Sequence, residues 1–94
     1  MEKLTEDEFA TELARLRLDI DLLDGQLLAL LNERAKVSLA VGRLKKRQGQ
    51  AVADPERERR LLEALLAKNS GPLSVRQVES IYQVLFAVSK ELQV

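Results

Sequence analysis

Apolar residues recur every seven positions in two interleaved series along the first half of the chain. Phe9, Leu16, Leu23, Leu30, Val37 and Leu44 form one series; Leu13, Ile20, Leu27 and Val41 form the other, with Arg34 standing where that series calls for an aliphatic residue. A repeat of this period keeps one stripe of a helix apolar, so the spacing predicts a single long helix. Thr5-Glu6-Asp7-Glu8 supplies its start, because the threonine hydroxyl and the glutamate carboxylate can each satisfy one unpaired backbone amide, and the acids suit the positive end of the dipole. Arg43, Lys45, Lys46 and Arg47 complement the negative end, and Gly49 offers a stop. The predicted helix therefore runs from about residue 6 to about 48. Asp54-Pro55 then reads as a cap followed by proline in the first turn, with Leu61, Leu62, Leu65 and Leu66 as the apolar face of a second helix over about 55–68. Asn69-Ser70-Gly71-Pro72 breaks it, and Ser74-Val75-Arg76-Gln77 is a second capping box. Val78, Ile81, Tyr82, Leu85, Val88 and Leu92 stripe a third helix over about 75–92. No segment alternates as a strand would. The expected fold is all-α, three helices with one very long N-terminal helix, in one domain over residues 1–94. Gly25 and Gly42 fall inside the long helix at a cost of roughly 1 kcal/mol each against alanine, which points to close backbone packing at both.

A helix of some 43 residues is about 65 Å long, whereas a compact chain of this size has a radius of gyration near ~12 Å. Two short helices cannot cover an apolar seam of that length. The pattern thus predicts a second copy on the seam and an intertwined helical homodimer. The alternative, a hairpin monomer kinked near Gly25, sits poorly with a heptad register that runs through that glycine unbroken.

Composition narrows the function. Fifteen Lys and Arg balance fifteen Asp and Glu in 94 residues, which removes the basic footprint of a nucleic-acid or membrane-surface binder. Phe9, Tyr82 and Phe86 are too few for a base-stacking platform. With no Cys and no His, thiolate nucleophiles, imidazole bases and the usual zinc sites are excluded, leaving Arg, Lys, Asp, Glu, Gln, Ser and one Tyr for any chemistry. No apolar run reaches membrane-spanning length and the acidic N-terminus is unlike a signal peptide, so a cytoplasmic location is expected.

Arg34 in the seam needs an anion or a wet cavity, because guanidinium does not give up its charge. A small anionic ligand and a structural ion pair with Glu33, Glu58 or Glu63 satisfy that need equally. Lys45 lies eleven positions on, roughly 16 Å along the axis and nearly on the same face, where it is either a second ligand group or a solvated lysine complementing the dipole. Arg17 is seventeen residues before Arg34, roughly 25 Å away and on another face, so it can join the same pocket only from a partner chain. Asp54 and Glu58, beside Arg57, read as a cap and a surface acid or as pocket groups. Ser89 interrupts the third stripe and Gln93 follows one turn later; they face a polar pocket, or else Ser89 bonds a backbone carbonyl and Gln93 frays.

Taken together, these segments resemble the all-helical class of chorismate mutase, known as a bacterial monofunctional enzyme or as a domain fused to another shikimate-pathway enzyme. The resemblance covers nearly the whole chain. It rests on residues 16–24 (LRLDIDLLD), 27–34 (LLALLNER), 41–45 (VGRLK), 54–58 (DPERE), 71–74 (GPLS) and 89–93 (SKELQ), in this order and spacing. It implies an isomerase of phenylalanine and tyrosine biosynthesis that rearranges chorismate to prephenate, needing no nucleophile, metal or cofactor. The enzyme would hold the flexible dianion in its reactive shape and stabilise charge building on the ether oxygen. Position by position, the resemblance assigns Arg34 and the partner subunit's Arg17 to the two carboxylates, supported by Arg57 and Ser89. Lys45 and Gln93 would donate to the ether oxygen, and Glu58, with Asp54 nearby, would hold the ring hydroxyl. Each site of the homodimer would be shared between chains, with a fused or associated shikimate-pathway enzyme as a further partner. Two alternatives stand beside it: an isochorismate-pyruvate lyase on the same fold, against which the acid at Glu58 argues, and a mutase-like regulatory or interaction module, against which Lys45, Glu58 and Gln93 argue.

Overall fold

A computed structural model describes residues Glu2–Val94 and contains three helices: α1 (Glu6–Gln48), α2 (Pro55–Lys68) and α3 (Val75–Gln93). Local signals set their ends. The Thr5 hydroxyl accepts from the Glu8 amide at 3.1 Å, and the Glu8 carboxylate accepts from the Thr5 amide at 3.3 Å. Asp54 Oδ1 caps α2 by accepting from the Arg57 amide at 3.1 Å, with Pro55 in the first turn. Ser74 and Gln77 exchange the same reciprocal bonds at the head of α3, at 3.1 and 2.9 Å. At the far end of α1 the Gln50 amide donates to the Lys45 carbonyl (2.9 Å) and the Gly49 amide to the Lys46 carbonyl (3.2 Å), the paired bonds of a Schellman turn. That turn requires a left-handed residue, and Gly49 provides it at φ 66°. Helix α3 extends one residue beyond the predicted end, through Gln93.

By compactness the chain divides within α1 into two units, one up to Arg34 and one over Ala35–Val94. In the first, the heptad positions lie open: Leu16, Leu23, Leu27 and Leu30 are exposed, and Ile20 is 56% accessible. Arg15 pairs with Glu12 and Asp19 on its surface. Among the described residues no helix is long and apolar enough to cross a membrane.

In the second unit α2 packs against α3, and the last turns of α1 contribute the buried Ser38 and Gly42. Val78 and Phe86 (4% accessible) form the buried apolar centre, and the Tyr82 and Phe86 rings lie 6.0 Å apart at 58°. Leu61, Leu62, Leu65 and Leu66 of α2 are half-buried, as the periodicity predicts. The predicted α3 stripe needs correcting: Ile81 and Val88 are exposed, and Phe86 takes the buried place. Gly42 meets a close neighbour, whereas Gly25 has open space where a Cβ would stand, so only one of the two interior glycines is packed within this chain.

Candidate active site

The polar groups that come together lie in the unit Ala35–Val94, where the end of α1 meets the end of α3. Lys45 Nζ donates to Gln93 Oε1 at 3.0 Å and to the Val52 carbonyl at 2.8 Å. Gln93 Nε2 donates to Ser89 Oγ at 3.4 Å, and Ser89 Oγ shares a 2.6 Å hydrogen bond with Ser38 Oγ. Ammonium has no acceptor, so it fixes the orientation of the carboxamide: the Gln93 oxygen turns to Lys45 and the nitrogen is sent the other way. Both acceptors on Lys45 are neutral, so neither cancels its charge. The three N–H groups of Lys45 and the two of Gln93 are only partly used by these bonds, one on each side chain being left to donate elsewhere.

The setting explains how a glutamine comes to be held at a helix end. Gln93 is 9% accessible and Ser38 is 7%, both buried polar residues, and among the described residues no buried side-chain nitrogen or oxygen lacks a partner. Lys45 reaches this chain of bonds from the last turn of α1, and the Schellman turn carries the backbone round so that Val52 presents its carbonyl to the same ammonium. Gln93 is therefore not frayed, and Ser89 bonds side chains rather than a backbone carbonyl.

The remaining candidates are distributed around this centre or lie outside its unit. Glu58, half-buried on α2, pairs with Lys90 of α3 at 3.3 Å. Asp54 is the α2 cap, and the Arg57 backbone is its donor. On α2, Arg59 pairs with Glu56 and Glu63, and Arg60 with Glu56; the hydrogen bonds that Arg59 donates to Glu56 and then to Glu63 raise its pKa above its ordinary value. Arg57 takes no part in that ladder. Within the second unit Glu63 and Glu58 pair with Arg59 and Lys90. Arg17 is exposed and Arg34 half-buried, both in the unit that ends at Arg34. Ser38 was not legible from the sequence as a site residue. Its signal is its spacing: Ser38, Gly42 and Lys45 fall at i, i+4 and i+7, a narrow non-aliphatic strip on an otherwise leucine-rich helix.

A family model described as chorismate mutase type II matches residues 16–94, a span that takes in the whole Lys45–Gln93–Ser89 cluster. The chain belongs to the chorismate mutase type II family. Among curated chorismate mutase relatives, the bifunctional chorismate mutase/prephenate dehydratase of Aquifex aeolicus is 43% identical over 58 residues, 62% of this chain and 16% of that protein. The bifunctional protein of the same name from Pseudomonas aeruginosa is 36% identical over 81 residues, 81% of this chain and 22% of that protein. The chain thus spans about a fifth of the length of these relatives. A solved chorismate mutase (Form II) of Thermus thermophilus superposes with a TM-score of 0.85 at 30% identity, covering 87% of this chain and 93% of that one. The three-helix, all-α architecture is therefore that of a helical chorismate mutase.

Proposed function

We propose that this chain works as a chorismate mutase through the Lys45–Gln93 pair, the observation that carries the reading being the 3.0 Å bond by which the Lys45 ammonium fixes the Gln93 carboxamide through its oxygen, each side chain keeping one N–H that these bonds do not use. The rearrangement of chorismate to prephenate is unimolecular. One carbon–oxygen bond breaks as one carbon–carbon bond forms, so the reaction calls on no nucleophile, metal or cofactor, and a protein accelerates it by restraining the substrate and meeting the charge that develops on the ether oxygen. Each of the paired side chains has an N–H left to give that oxygen. Because both donors are fixed before the reaction begins, little reorganisation is needed as charge appears.

Around this pair, Arg34 and the partner subunit's Arg17 bind the two carboxylates, Arg57 and Ser89 support that end, and Glu58, with Asp54 nearby, accepts from the ring hydroxyl. Residues 1–94 act as one chorismate mutase domain. A second copy covers the exposed heptad leucines and completes two shared sites in an intertwined homodimer. We infer a cytoplasmic location. A fused or associated shikimate-pathway enzyme is a further partner, in line with relatives whose names join the mutase to a prephenate dehydratase.

The test is a direct assay of the purified chain. Chorismate absorbance should fall with stoichiometric appearance of prephenate, and isochorismate should release no pyruvate. Pyruvate release as the main reaction would point to a lyase; binding without turnover would point to a regulatory module. Either outcome contradicts the proposal.

A further inference from the structure

We infer that Gly42 is a positioning residue for the reaction, and that its missing side chain is what seats the Gln93 carboxamide on Lys45. A Cβ placed on Gly42 would stand 2.7 Å from Gln93 Cα, 2.9 Å from its carbonyl oxygen and 3.1 Å from its Cβ. Two of these neighbours are helix backbone, so a rotamer change cannot relieve the overlap. Favourable carbon–carbon contact begins near ~3.5 Å, so an alanine here has to move the backbone at Gln93 away from α1 by roughly 1 Å. Glycine in a helix interior is otherwise unfavourable, and this close approach is its compensating use.

The geometry also says which part would yield. Gln93 is the last residue of α3, in the turn whose final carbonyls have no intrahelical partners, while Val78 and Phe86 hold the helix from further back. Lifting that turn is the least costly response. It leaves the three helices in place and draws Gln93 Oε1 away from Lys45 Nζ, from a bond of 3.0 Å to a separation at which it no longer holds. Ser38 and Lys45 lie four residues before and three residues after Gly42 on α1, so the glycine sits between the two α1 side chains that anchor the α3 cluster, Ser38 through Ser89 and Lys45 through Gln93.

The inference rests on reading Lys45 and Gln93 as the donor pair, and a four-chain comparison separates the two claims: parent, Gly42→Ala, Gln93→Ala and the double variant, each assayed for chorismate turnover and for helical far-ultraviolet dichroism. Gly42→Ala should stay helical and lose on the order of a hundredfold in kcat, the cost of misplacing a catalytic group by about 1 Å, with little change in KM. In the Gln93→Ala background the same substitution should cost less than about threefold, because the group it misplaces is already gone. Parental kcat in Gly42→Ala overturns the inference, as does an equally large loss in both backgrounds, which would mark a purely structural role. Loss of the helical signal overturns it too, since the last turn would then not be the part that yields. Parental turnover in Gln93→Ala alone removes the donor-pair reading itself, and does so in a chain whose Gly42 is untouched.

Discussion

Gln93 is where a change of one heavy atom inverts the proposed chemistry. Replacing its amide with a carboxylate turns a donor into an acceptor that repels an oxygen gaining charge, whereas the protonated acid donates again. Gln93→Glu should be slow at neutral pH and recover as pH falls through the new carboxyl's pKa, while the parent stays comparatively flat. Gln93→Ala should lose about a hundredfold to a thousandfold in kcat at every pH, the usual cost of one transition-state donor. Rate–pH profiles of the three chains check this; a Gln93→Glu profile that overlays the parent's would show that Gln93 gives nothing to the reaction. At this scale the sequence was only partly legible. Gln93 and Ser89 stood out because polar residues interrupted an apolar stripe. Ser38 did not, because its spacing with Gly42 and Lys45 marks only a narrow non-aliphatic strip, which gains meaning once α3 lies beside it with Ser89 Oγ at 2.6 Å.

Helix ends were the most legible feature of the chain, since capping boxes, the Asp54-Pro55 start and the Gly49 stop are local chemistry that no distant contact needs to complete. Faces were less so. The α3 stripe is expected to include Ile81 and Val88, and both are exposed while Phe86 is buried, because Ile81 and Val88 lie on one flank of a wide apolar face and Phe86, four residues from Tyr82 and eight from Val78, on the other, and the packing partner sets which flank is covered. Gly49 ties an element end to the site. Its φ of 66° closes the Schellman turn that brings the Val52 carbonyl to Lys45 Nζ. Alanine there should destabilise the fold by about 1 kcal/mol, the cost of a left-handed L-residue, and should lower Tm by several degrees at fixed chain concentration. Thermal unfolding of the Gly49→Ala chain measures it; an unchanged Tm would mean that the turn does not hold the end of α1.

For the whole molecule the deciding feature is the mismatch between one long apolar helix and the little that covers it in a single chain. The buried apolar residues, Val78 and Phe86, belong to the unit Ala35–Val94, while Leu16, Ile20, Leu23, Leu27 and Leu30 are open. The heptad pattern makes this readable from sequence; the proposal that Arg17 and Lys45 serve one site from two chains comes instead from the family resemblance and from the distance between Arg17 and Arg34 along one helix. That assignment and the mutase activity are tested together by mixing. Arg17→Ala and Lys45→Ala chains should each be nearly inactive on chorismate. After verified subunit exchange at equal concentrations, half of the dimers are mixed, and in each of these one site collects both defects and the other neither, so about a quarter of parental chorismate turnover should return. Activity that stays at the level of the separate variants after exchange would contradict shared sites built around Lys45.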